Sequence, residues 1–497
     1  MQRIHVNGIV QGVGFRPFIY RLAVENNFKG YVRNLGDAGV EIVLDCDEKE
    51  AQEFVKLMFA NLPPLARIYD VKVEELRAAH FGNFQILESL DKKEGSGSVI
   101  PPDVGMCDKC LAEMRSPKDR RHNYFFTTCT DCGPRFTIID KLPYDRPHTT
   151  MRDFPMDADC AVEYKNPLDR RYHAQTVACK DCGPRARLTD KNGKEINTKS
   201  SEEAIWETSR LLSEGAIVAI KGNGGFHIAA ATSFDVPVSL LRQRRRRKQQ
   251  PFAVMARDIE TAKSFAEISA EEEKLLTSSL RPIVLLRKNG NYDLAPEIAP
   301  GLHNIGVMLP YTGMHHLLFD RTKERAIVMT SANLPGDPMV MDNNEAVQKL
   351  GNIVDYFLFH DREIAQRCDD SVIRFVAGEP AFIRRSRGYA PAPVEISEKF
   401  KGNGKNILAL GAELCVTSCI LNGKRAFLSQ HIGDVEKPDT LAFLEDATRR
   451  LIHLTNTKPE AIVCDLHPQF ATTRLARRMS EEFSIPLKQV QHHWAHA

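Results

Sequence analysis

The chain has 497 residues, of which 27% are charged, and its 67 Lys and Arg against 65 Asp and Glu give a formal net charge of +2. This length predicts several domains, and the near balance of charge argues against a protein built mainly to coat nucleic acid. No apolar run of about 18 residues is present and the first residues lack the apolar core of a signal peptide, so we expect a cytoplasmic protein without a membrane segment.

Residues 1–91 predict a small α/β domain. Strand-like and helical patterns follow one another in the order β-α-β-β-α-β, which is typical of a ferredoxin-like fold. The predicted elements are residues 3–10, 15–26, 30–33, 40–45, 48–61 and 69–75. The Gly- and Ser-containing segment 92–98 predicts a flexible linker.

A glycine-containing loop separates the first predicted strand from the first helix. Gly12 and Gly14 allow the loop to turn its main-chain N–H groups inward, and the following helix adds its positive end, which together make a cradle for phosphate. Arg16 in the first helical turn can clamp two phosphate oxygens. Asn34, at the end of the next strand, can hold a water for attack on an acyl phosphate. The alternative is an ordinary glycine turn beside a surface arginine.

The run VNGIVQGVGFR at residues 6–16, with GYVRN at residues 30–34, resembles the acylphosphatase signature. The resemblance extends over the whole of residues 1–90. It implies that the loop binds phosphate, that Arg16 holds the phosphate and that Asn34 positions the attacking water. The implied phosphate-binding residues are Gln11, Gly12, Val13, Gly14 and Phe15.

Residues 99–190 contain seven of the 12 cysteines. In a long chain without a secretion signal, cysteines paired as Cys-x-x-Cys favour metal over disulfides. Four thiolates at zinc-ribbon spacing predict a structural zinc site, with free buried thiols as the alternative. These four are Cys107, Cys110, Cys129 and Cys132.

The cysteine pattern is repeated: CTDCGPR from residue 129 returns as CKDCGPR from residue 179. The second copy has three cysteines, and Asp157 stands where the fourth is expected. A carboxylate oxygen can ligate zinc, so Asp157 is the predicted fourth ligand, with His148 or His173 as alternatives. Three cysteines would also suit catalytic zinc, but the intact first copy favours a structural role. The three cysteines are Cys160, Cys179 and Cys182.

This doubled motif resembles the zinc-finger region of the hydrogenase maturation carbamoyltransferases. That resemblance implies tandem zinc-ribbon modules with two structural zinc ions. The family pattern has a cysteine at the position of Asp157, so the second site of this chain departs from it.

Residues 200–390 alternate apolar strand-like runs with helical stretches, as an α/β domain does. Glycines in the run KGNGGFH at 221–227 permit close approach of a ligand, although the run does not end as a Walker loop does. The arginine-rich run at 242–248 is typical of a solvated face or a nucleic-acid patch. Ser331 and Asn333 place a hydroxyl and an amide at the end of a buried strand, where open α/β sheets bind ligands.

As an ordered set, these motifs resemble the domain that makes carbamoyl-type adenylates, which the tRNA threonylcarbamoylation enzymes share. The resemblance implies ATP with Mg²⁺ as co-substrate and a basic pair near the phosphates. We take Arg245 and Arg247 as that pair, although the run 242–248 leaves the register open. The implied nucleotide- and adenylate-binding residues are Lys221, Gly224, Gly225, His227, Arg245, Arg247, Ser331 and Asn333.

Residues 405–497 begin a further α/β domain that resembles the actin-like last domain of the same carbamoyltransferases. His492 and His496 are four residues apart on one helical face and can share a metal, and the resemblance implies a further divalent metal or iron there. Because about 95 residues are too few for a two-lobed domain, we expect this domain to be incomplete and the chain to be truncated at its C-terminus.

The order of these resemblances is that of the hydrogenase maturation carbamoyltransferases and implies a relay. Carbamoyl phosphate is hydrolysed to carbamate, and ATP converts carbamate to carbamoyl adenylate. The carbamoyl group then passes to the C-terminal cysteine of a partner maturation protein for the cyanide ligand of nickel–iron hydrogenase. The alternatives are a tRNA threonylcarbamoylation enzyme and a zinc-finger RNA-binding protein that uses residues 242–248. We expect neither a membrane nor a nucleic-acid partner.

Overall fold

The computed structural model describes residues 1–35, 39–77, 80–88, 90, 99–142, 144–397 and 404–497. Their strands form three sheets of five, eleven and six strands, and the cysteine-rich region lies between the first and the second sheet in the chain. Within the described residues, no helix is long and apolar enough to cross a membrane.

The N-terminal unit is a five-stranded sheet with two helices. Its elements are β1 (Gln2–Ile9), α1 (Phe15–Glu25), β2 (Gly30–Asn34), β3 (Val40–Leu44), α2 (Glu48–Ala60), β4 (Arg67–Glu75) and β5 (Phe84–Ile86). The sheet order is β4-β1-β3-β2-β5, and the first four strands follow the predicted pattern. The sequence did not predict β5, because three residues are too few to show an alternating pattern. The predicted linker 92–98 and residues 36–38 of the hairpin lie outside the described residues.

Helix α1 covers this sheet with one apolar face. Phe15, Phe18, Ile19 and Leu22 are buried at helical spacing. The helix begins directly after the glycine loop, and Phe15 packs its first turn into the core. This packing places Arg16 beside the end of β1 and next to the loop.

The cysteine-rich region is built around two short helices, α3 (Asp108–Arg115) and α4 (Ala158–Lys165). They occupy equivalent positions in the internal repeat, and the residues at their N-terminal caps are Cys107 and Asp157. Aromatic residues 124–126 of this region pack against the central sheet in one core with Val218 and Ile220. The cysteine-rich region is thus attached to one face of the central unit.

The central unit is a mixed eleven-stranded sheet with helices on its faces. Its strands are β6 (Ala186–Asp190), β7 (Val218–Lys221), β8 (Phe226–Ala231), β9 (Ala253–Ala256), β10 (Ala266–Glu267), β11 (Ile283–Lys288), β12 (Asn304–Met308), β13 (Ala326–Ser331), β14 (Tyr356–His360), β15 (Val372–Val376) and β16 (Glu379–Arg384). Its helices are α5 (Ser201–Ser213), α6 (Asp235–Arg244), α7 (Ile259–Phe265), α8 (Ala270–Thr277), α9 (Gly313–Arg321) and α10 (Asn343–Leu350).

The strand order is β16-β15-β11-β12-β9-β13-β8-β7-β14-β6, and β10 pairs with β11. Strands β7, β8 and β13 lie inside the sheet and are almost entirely buried, which explains their continuous apolar sequences. Strand β6, which the sequence grouped with residues 99–190, pairs with β14 at the edge of this sheet. The cysteine-rich region therefore runs directly into the central sheet.

The C-terminal unit is a six-stranded sheet with three helices. Its elements are β17 (Val394–Glu395), β18 (Ile407–Ala409), β19 (Cys419–Asn422), β20 (Arg425–Leu428), α11 (Pro438–Leu454), β21 (Ala461–Asp465), α12 (Ala471–Phe483), β22 (Leu487–Val490) and α13 (His492–His496). Strand β17 lies in the segment between the predicted domains at 200–390 and 405–497, and it pairs with β20 at the sheet edge. That segment therefore contributes a strand before residues 398–403, which lie outside the described residues.

The N-terminal unit contacts two of the other parts. The guanidinium of Arg425 lies 4.6 Å from the ring centre of Tyr69, which joins the first and last sheets. Nε of Arg135 in the cysteine-rich region donates to the carbonyl of Gly12 at 2.9 Å. The predicted class, a multidomain α/β protein with a ferredoxin-like unit and a cysteine-rich region, is confirmed.

Candidate functional site

The loop between β1 and α1 has the shape of an anion cradle. Gly12 and Gly14 have φ angles of 69° and 70°, in the left-handed region that favours glycine. A Cβ on Gly12 would overlap the ring of Tyr144, and one on Gly14 would lie 2.9 Å from Oγ1 of Thr130. Glycine is therefore required at both positions by conformation and by the close approach of the cysteine-rich region.

Arg16 and Asn34, the predicted catalytic pair, lie next to each other. With its amide oxygen towards the guanidinium, Asn34 accepts hydrogen bonds from Nε and Nη2 of Arg16 at 3.2 and 3.3 Å. Burial lowers the pKa of Arg16, while Asp145, Tyr172 and Tyr164 act in the opposite direction. A guanidinium stays charged in this setting, so the site presents a fixed cation.

Residues of the cysteine-rich region surround Arg16. Tyr164 and Tyr172 lie close enough to Arg16 to interact electrostatically, and burial raises the pKa of both phenols. His173 also lies here, where burial and then Arg16 lower its pKa to about 4, so it is neutral at neutral pH. His173, one of the alternative zinc ligands, therefore sits by Arg16 and not in a thiolate cluster.

The first four-cysteine set forms a compact cluster. Neighbouring Sγ atoms lie 3.5 to 3.8 Å apart. A zinc–sulfur bond of about 2.3 Å in a tetrahedron requires sulfur atoms about 3.8 Å apart, so the spacing fits zinc. The cluster consists of Cys107, Cys110, Cys129 and Cys132.

The second set contains Asp157 in the place of the fourth thiolate. Oδ2 of Asp157 lies 2.9 Å from Sγ of Cys179, and Oδ1 accepts from the main-chain N–H of Cys160 at 2.7 Å. The two other sulfur distances, from Cys182 to Cys179 and to Cys160, are 3.8 and 3.6 Å. One carboxylate oxygen is thus free of the helix cap and directed at the thiols, as a zinc ligand would be. Neither His148 nor His173 belongs to this group.

Each of the two repeats donates hydrogen bonds from an arginine to the cysteine cluster of the other, and we call this the exchange of arginines. Arg170 of the second repeat donates to Sγ of Cys110 at 3.1 Å and to Glu113 at 2.6 Å. Arg120 of the first repeat donates to Sγ of Cys160 at 3.0 Å, and the adjacent Arg121 pairs with Glu163. Each cluster is therefore held by charge-assisted hydrogen bonds from the other repeat.

A cavity of about 610 Å³ opens where β13 ends. Ser331 and Asn333 line it, and Oγ of Ser331 donates to Oδ1 of Asn333 at 3.2 Å. Arg245 donates to the carbonyl and to Oδ1 of Asn333 at 2.9 and 3.1 Å. Arg247 reaches Oγ1 of Thr330 at 3.3 Å. Four residues predicted as nucleotide-binding are therefore brought together.

The arginine run divides into two groups. Arg245 and Arg247 line the cavity, whereas Arg242 donates to the carbonyl of Glu297 and Arg244 pairs with Asp355. Burial, with neighbouring cations, lowers the pKa of Arg245 and of Arg247 to about 10. These two cations lie close together in the cavity wall, where their mutual repulsion is unfavourable. An anionic ligand would relieve that repulsion, so the cavity favours an anion.

The C-terminal unit closes one side of this cavity. Cys415, His431 and Asp434 are among its lining residues. Nζ of Lys437 donates to Asp337 at 2.7 Å, which fastens the C-terminal unit to the rim. Burial, with Arg384, lowers the pKa of His431 to about 4, so its ring is neutral at neutral pH.

Lys221 and His227 lie behind the cavity wall and not on it. Nζ of Lys221 donates to the carbonyl of His360 at 3.2 Å, and Nε2 of His227 lies 2.7 Å from Oδ2 of Asp370. A Cβ on Gly224 would overlap the carbonyl of Cys368, and one on Gly225 would overlap Met339, so both glycines are needed for close packing. The loop at 221–227 thus supports the wall.

His492 and His496 lie on α13, with ring centres 4.9 Å apart. Nδ1 of His492 lies 2.8 Å from Oδ2 of Asp465. A separate cavity of about 310 Å³ includes all three residues. Among the described residues, the groups of three or more close metal-ligand atoms are the two cysteine clusters, and this histidine pair is not one of them.

Four sequence-family profiles match the chain. "Acylphosphatase" matches residues 2–86, "HypF finger" matches 106–139 and 158–189, "Telomere recombination" matches 210–386, and "HypF Kae1-like domain" matches 402–497. The protein "Probable carbamoyltransferase HypF" of Methanocaldococcus jannaschii is 51% identical over 100% of this chain and 64% of its own length. "Carbamoyltransferase HypF2" of Cupriavidus necator is 45% identical over 99% of this chain and 62% of its own length.

The chain belongs to the HypF carbamoyltransferase family.

Solved HypF structures agree with this assignment. A crystal structure of full-length HypF in the phosphate- and nucleotide-bound form has a TM-score of 0.92 at 42% identity and covers 100% of this chain and 63% of that chain. A structure of HypF from T. kodakarensis has a TM-score of 0.90 at 48% identity, with the same coverage. The chain spans 62 to 64% of the length of the curated HypF relatives described above.

The sequence of this chain predicted its family correctly but not several contacts within its HypF fold. It did not predict that Arg367 and Arg384 line the central cavity, nor that His431 comes to it from the C-terminal unit. It also did not predict the exchange of arginines between the two fingers. The DRR triplets at residues 119–121 and 169–171 were a visible signal for that exchange, because each follows a cysteine helix at the same distance.

The buried Lys221 of this HypF chain should make stability depend on pH. Burial, with the neighbouring Arg362, lowers its pKa from 10.5 to about 7. Between these values the unfolded chain binds the proton and the folded chain does not, so rising pH favours the folded state. We expect the stability of the wild type relative to Lys221→Met to increase from pH 7 to about pH 10, as measured by thermal unfolding. The exposed Lys199→Met should show no such trend, and a constant difference for Lys221→Met would contradict the prediction.

Proposed function

We propose that this chain hydrolyses carbamoyl phosphate, adenylates the resulting carbamate with ATP and passes the carbamoyl group on during hydrogenase maturation. The observation that carries the proposal is the enclosure of Arg16. The residue follows an acylphosphatase-like loop, yet residues of the cysteine-rich region surround it and Arg135 of that region bonds to the loop. An enclosed product suits carbamate, because free carbamate decomposes readily in water.

The first step is hydrolysis at the loop. The N–H groups of residues 11–15 and the guanidinium of Arg16 bind the phosphoryl group and stabilise the charge that develops on it. Asn34, held against Arg16, positions the water that attacks. Carbamoyl phosphate and water give carbamate and inorganic phosphate.

The second step takes place in the central cavity. Carbamate oxygen attacks the α-phosphate of ATP, and pyrophosphate leaves as carbamoyl adenylate forms. Arg245 and Arg247 neutralise charge on the phosphates, and Ser331 and Asn333 hold the adenylate. Bound Mg²⁺ would offset further charge on the pyrophosphate. Lys221, Gly224, Gly225 and His227 support the wall behind these groups.

The third step is transfer of the carbamoyl group to the C-terminal cysteine thiolate of a partner maturation protein, with release of AMP. The product is the precursor of the cyanide ligand of nickel–iron hydrogenase. We assign this step to the C-terminal unit, where His492 and His496 would hold a divalent metal or iron. The contact of His492 with Asp465 supports this assignment, because metal-bound histidines commonly donate their second ring nitrogen to a carboxylate.

Both cysteine clusters are proposed as structural zinc sites. Each brings four possible ligand atoms within 4.8 Å of one another, and none of the eight ligand residues lines the central cavity. Zinc would hold the cysteine-rich region in the shape that covers Arg16.

The test is carbamoyl-phosphate-dependent exchange of pyrophosphate into ATP. We expect the wild-type chain to catalyse this exchange and Arg247→Met to reduce its rate about a hundredfold, because one cation that faces the leaving phosphates is lost. Arg244→Met is the matched control, since Arg244 belongs to the same run but pairs with Asp355 outside the cavity. The rates are measured with labelled pyrophosphate at saturating carbamoyl phosphate.

Other outcomes would favour other functions. Exchange that requires threonine and bicarbonate would support tRNA threonylcarbamoylation. Tight RNA binding that weakens steeply with salt, without any exchange, would support an RNA-binding protein. The absence of exchange from folded, zinc-loaded protein would reject the proposed second step in this chain.

A further inference from the structure

Arg135 is a fully enclosed cation that none of the proposed reaction steps uses. It is 2% exposed and ends the CTDCGPR motif, which contains the second pair of cysteines of the first cluster. A buried charge is costly unless hydrogen bonds satisfy it, so its partners reveal what the side chain holds.

Every partner of the Arg135 guanidinium is a main-chain carbonyl. Nη1 donates to the carbonyls of Cys132, in the knuckle that Cys129 and Cys132 form, and of Pro134 just after it, at 2.9 and 2.8 Å. Nη2 donates to Cys129 and Thr130, both at 2.9 Å. Nε reaches across to the N-terminal unit and donates to Gly12 at 2.9 Å. One side chain thus joins the knuckle to the phosphate loop.

The bond to Gly12 sets the direction of a loop donor. In a trans peptide, the carbonyl of one residue and the N–H of the next point to opposite sides. Because Arg135 holds the Gly12 carbonyl, the N–H of Val13 in the same peptide is turned away from the knuckle. Glycine allows this peptide to rotate at little cost, so a fixed partner is needed to keep one orientation.

The position of Arg135 is itself fixed. Its main-chain N–H donates to Oδ1 of the buried Asp103 at 2.9 Å, and Thr137 donates to both oxygens of the same carboxylate. The turn after the knuckle therefore cannot shift without breaking several buried hydrogen bonds.

We propose that Arg135 is a positioning residue that links the knuckle formed by Cys129 and Cys132 to the phosphate loop and so sets the affinity of that loop for phosphate. This inference rests on the proposed phosphate-binding function of residues 11–16. If Arg135 has this role, the zinc knuckle supports the phosphate loop, although none of the zinc ligands belongs to that loop.

The second repeat provides a matched control. Arg185 occupies the equivalent position after Cys182, and its main-chain N–H likewise donates to a carboxylate, that of Asp361, at 2.8 Å. The Arg185 side chain is exposed, whereas the bond to the Gly12 carbonyl comes from Arg135. A change at Arg185 therefore alters the same motif without touching Gly12.

The experiment measures binding of inorganic phosphate to the full chain by titration calorimetry, together with zinc content and the affinity for a non-hydrolysable ATP analogue. We expect Arg135→Met to weaken phosphate binding about tenfold to a hundredfold, because a charge-assisted hydrogen bond is lost. Zinc content and affinity for the ATP analogue should stay unchanged, and Arg185→Met should bind phosphate as the wild type does.

Further variants separate the possible failures. Arg135→Lys keeps the charge but cannot hold Gly12 and the knuckle together, so it should also bind phosphate weakly. Wild-type affinity in Arg135→Lys would show that charge alone matters and would overturn the positioning role, even if Arg135→Met does not fold. Wild-type affinity in zinc-loaded Arg135→Met would overturn it directly. If Arg16→Ala binds phosphate as tightly as the wild type, the proposed function of the loop fails, and this inference fails with it.

Discussion

Replacing Arg16 with alanine should lower kcat/KM for hydrolysis of carbamoyl phosphate by about a hundredfold to a thousandfold. The guanidinium is buried beside Asn34, and no water can replace a fixed cation there without loss of electrostatic stabilisation. The change removes both the proposed phosphate ligand and the group that holds Asn34. Release of inorganic phosphate from carbamoyl phosphate is the measurement.

Arg21→Ala is the control for this variant, because Arg21 lies on the same helix, α1, without belonging to its buried face. Its activity should stay within about twofold of the wild type, as expected for a surface change. Arg16→Lys should recover only part of the activity, since an ammonium group cannot form the paired contacts of a guanidinium. An Arg16→Ala variant that keeps more than about a tenth of the wild-type activity would remove Arg16 from the proposed mechanism.

The second large effect is expected from the first cysteine cluster. Cys110→Ser should reduce the zinc content from two ions per chain and destabilise the cysteine-rich region severely. Zinc binding contributes about 10 kcal/mol or more in small zinc domains, which rivals the whole stability of many proteins. Because Arg170 connects the cluster to the second repeat, we expect the second site to weaken as well. Metal analysis and thermal unfolding measure both effects.

Cys46→Ser is the matched control, since Cys46 is a partly buried cysteine outside both clusters. Its zinc content should equal that of the wild type, and any loss of stability should be small. Two zinc ions and an unchanged unfolding temperature in Cys110→Ser would mean that this cluster does not bind zinc.

The features that could be predicted from the sequence are those in which the relevant residues are close together in the chain. The loop at residues 11–16 and the two cysteine patterns are of this kind, because a turn, a helix start or a metal knuckle needs only a few consecutive residues. The helix α1 was predictable for the same reason, since its buried residues recur at helical spacing. Short edge strands such as β5 and β17 carry too few residues to show a pattern.

The contacts that sequence reasoning missed join residues far apart in the chain. Arg135 meets Gly12 across 123 positions, and Lys437 meets Asp337 across 100. No local period or motif encodes such a pair, because the contact depends on how whole sheets pack. The sequence also could not show which arginines of the run 242–248 line the cavity. That depends on where α6 ends, at Arg244, because the chain changes direction there.

The exchange of arginines between the repeats also limits how the fingers can be used elsewhere. A designer who grafted one finger onto another scaffold would leave its thiolates without the guanidinium that the sister finger donates. The grafted finger would also carry an arginine whose acidic partner, Glu113 or Glu163, lies in the other finger. The transferable module is therefore the pair, and a deletion that removes either copy should be harmful even where it spares every ligand of the other.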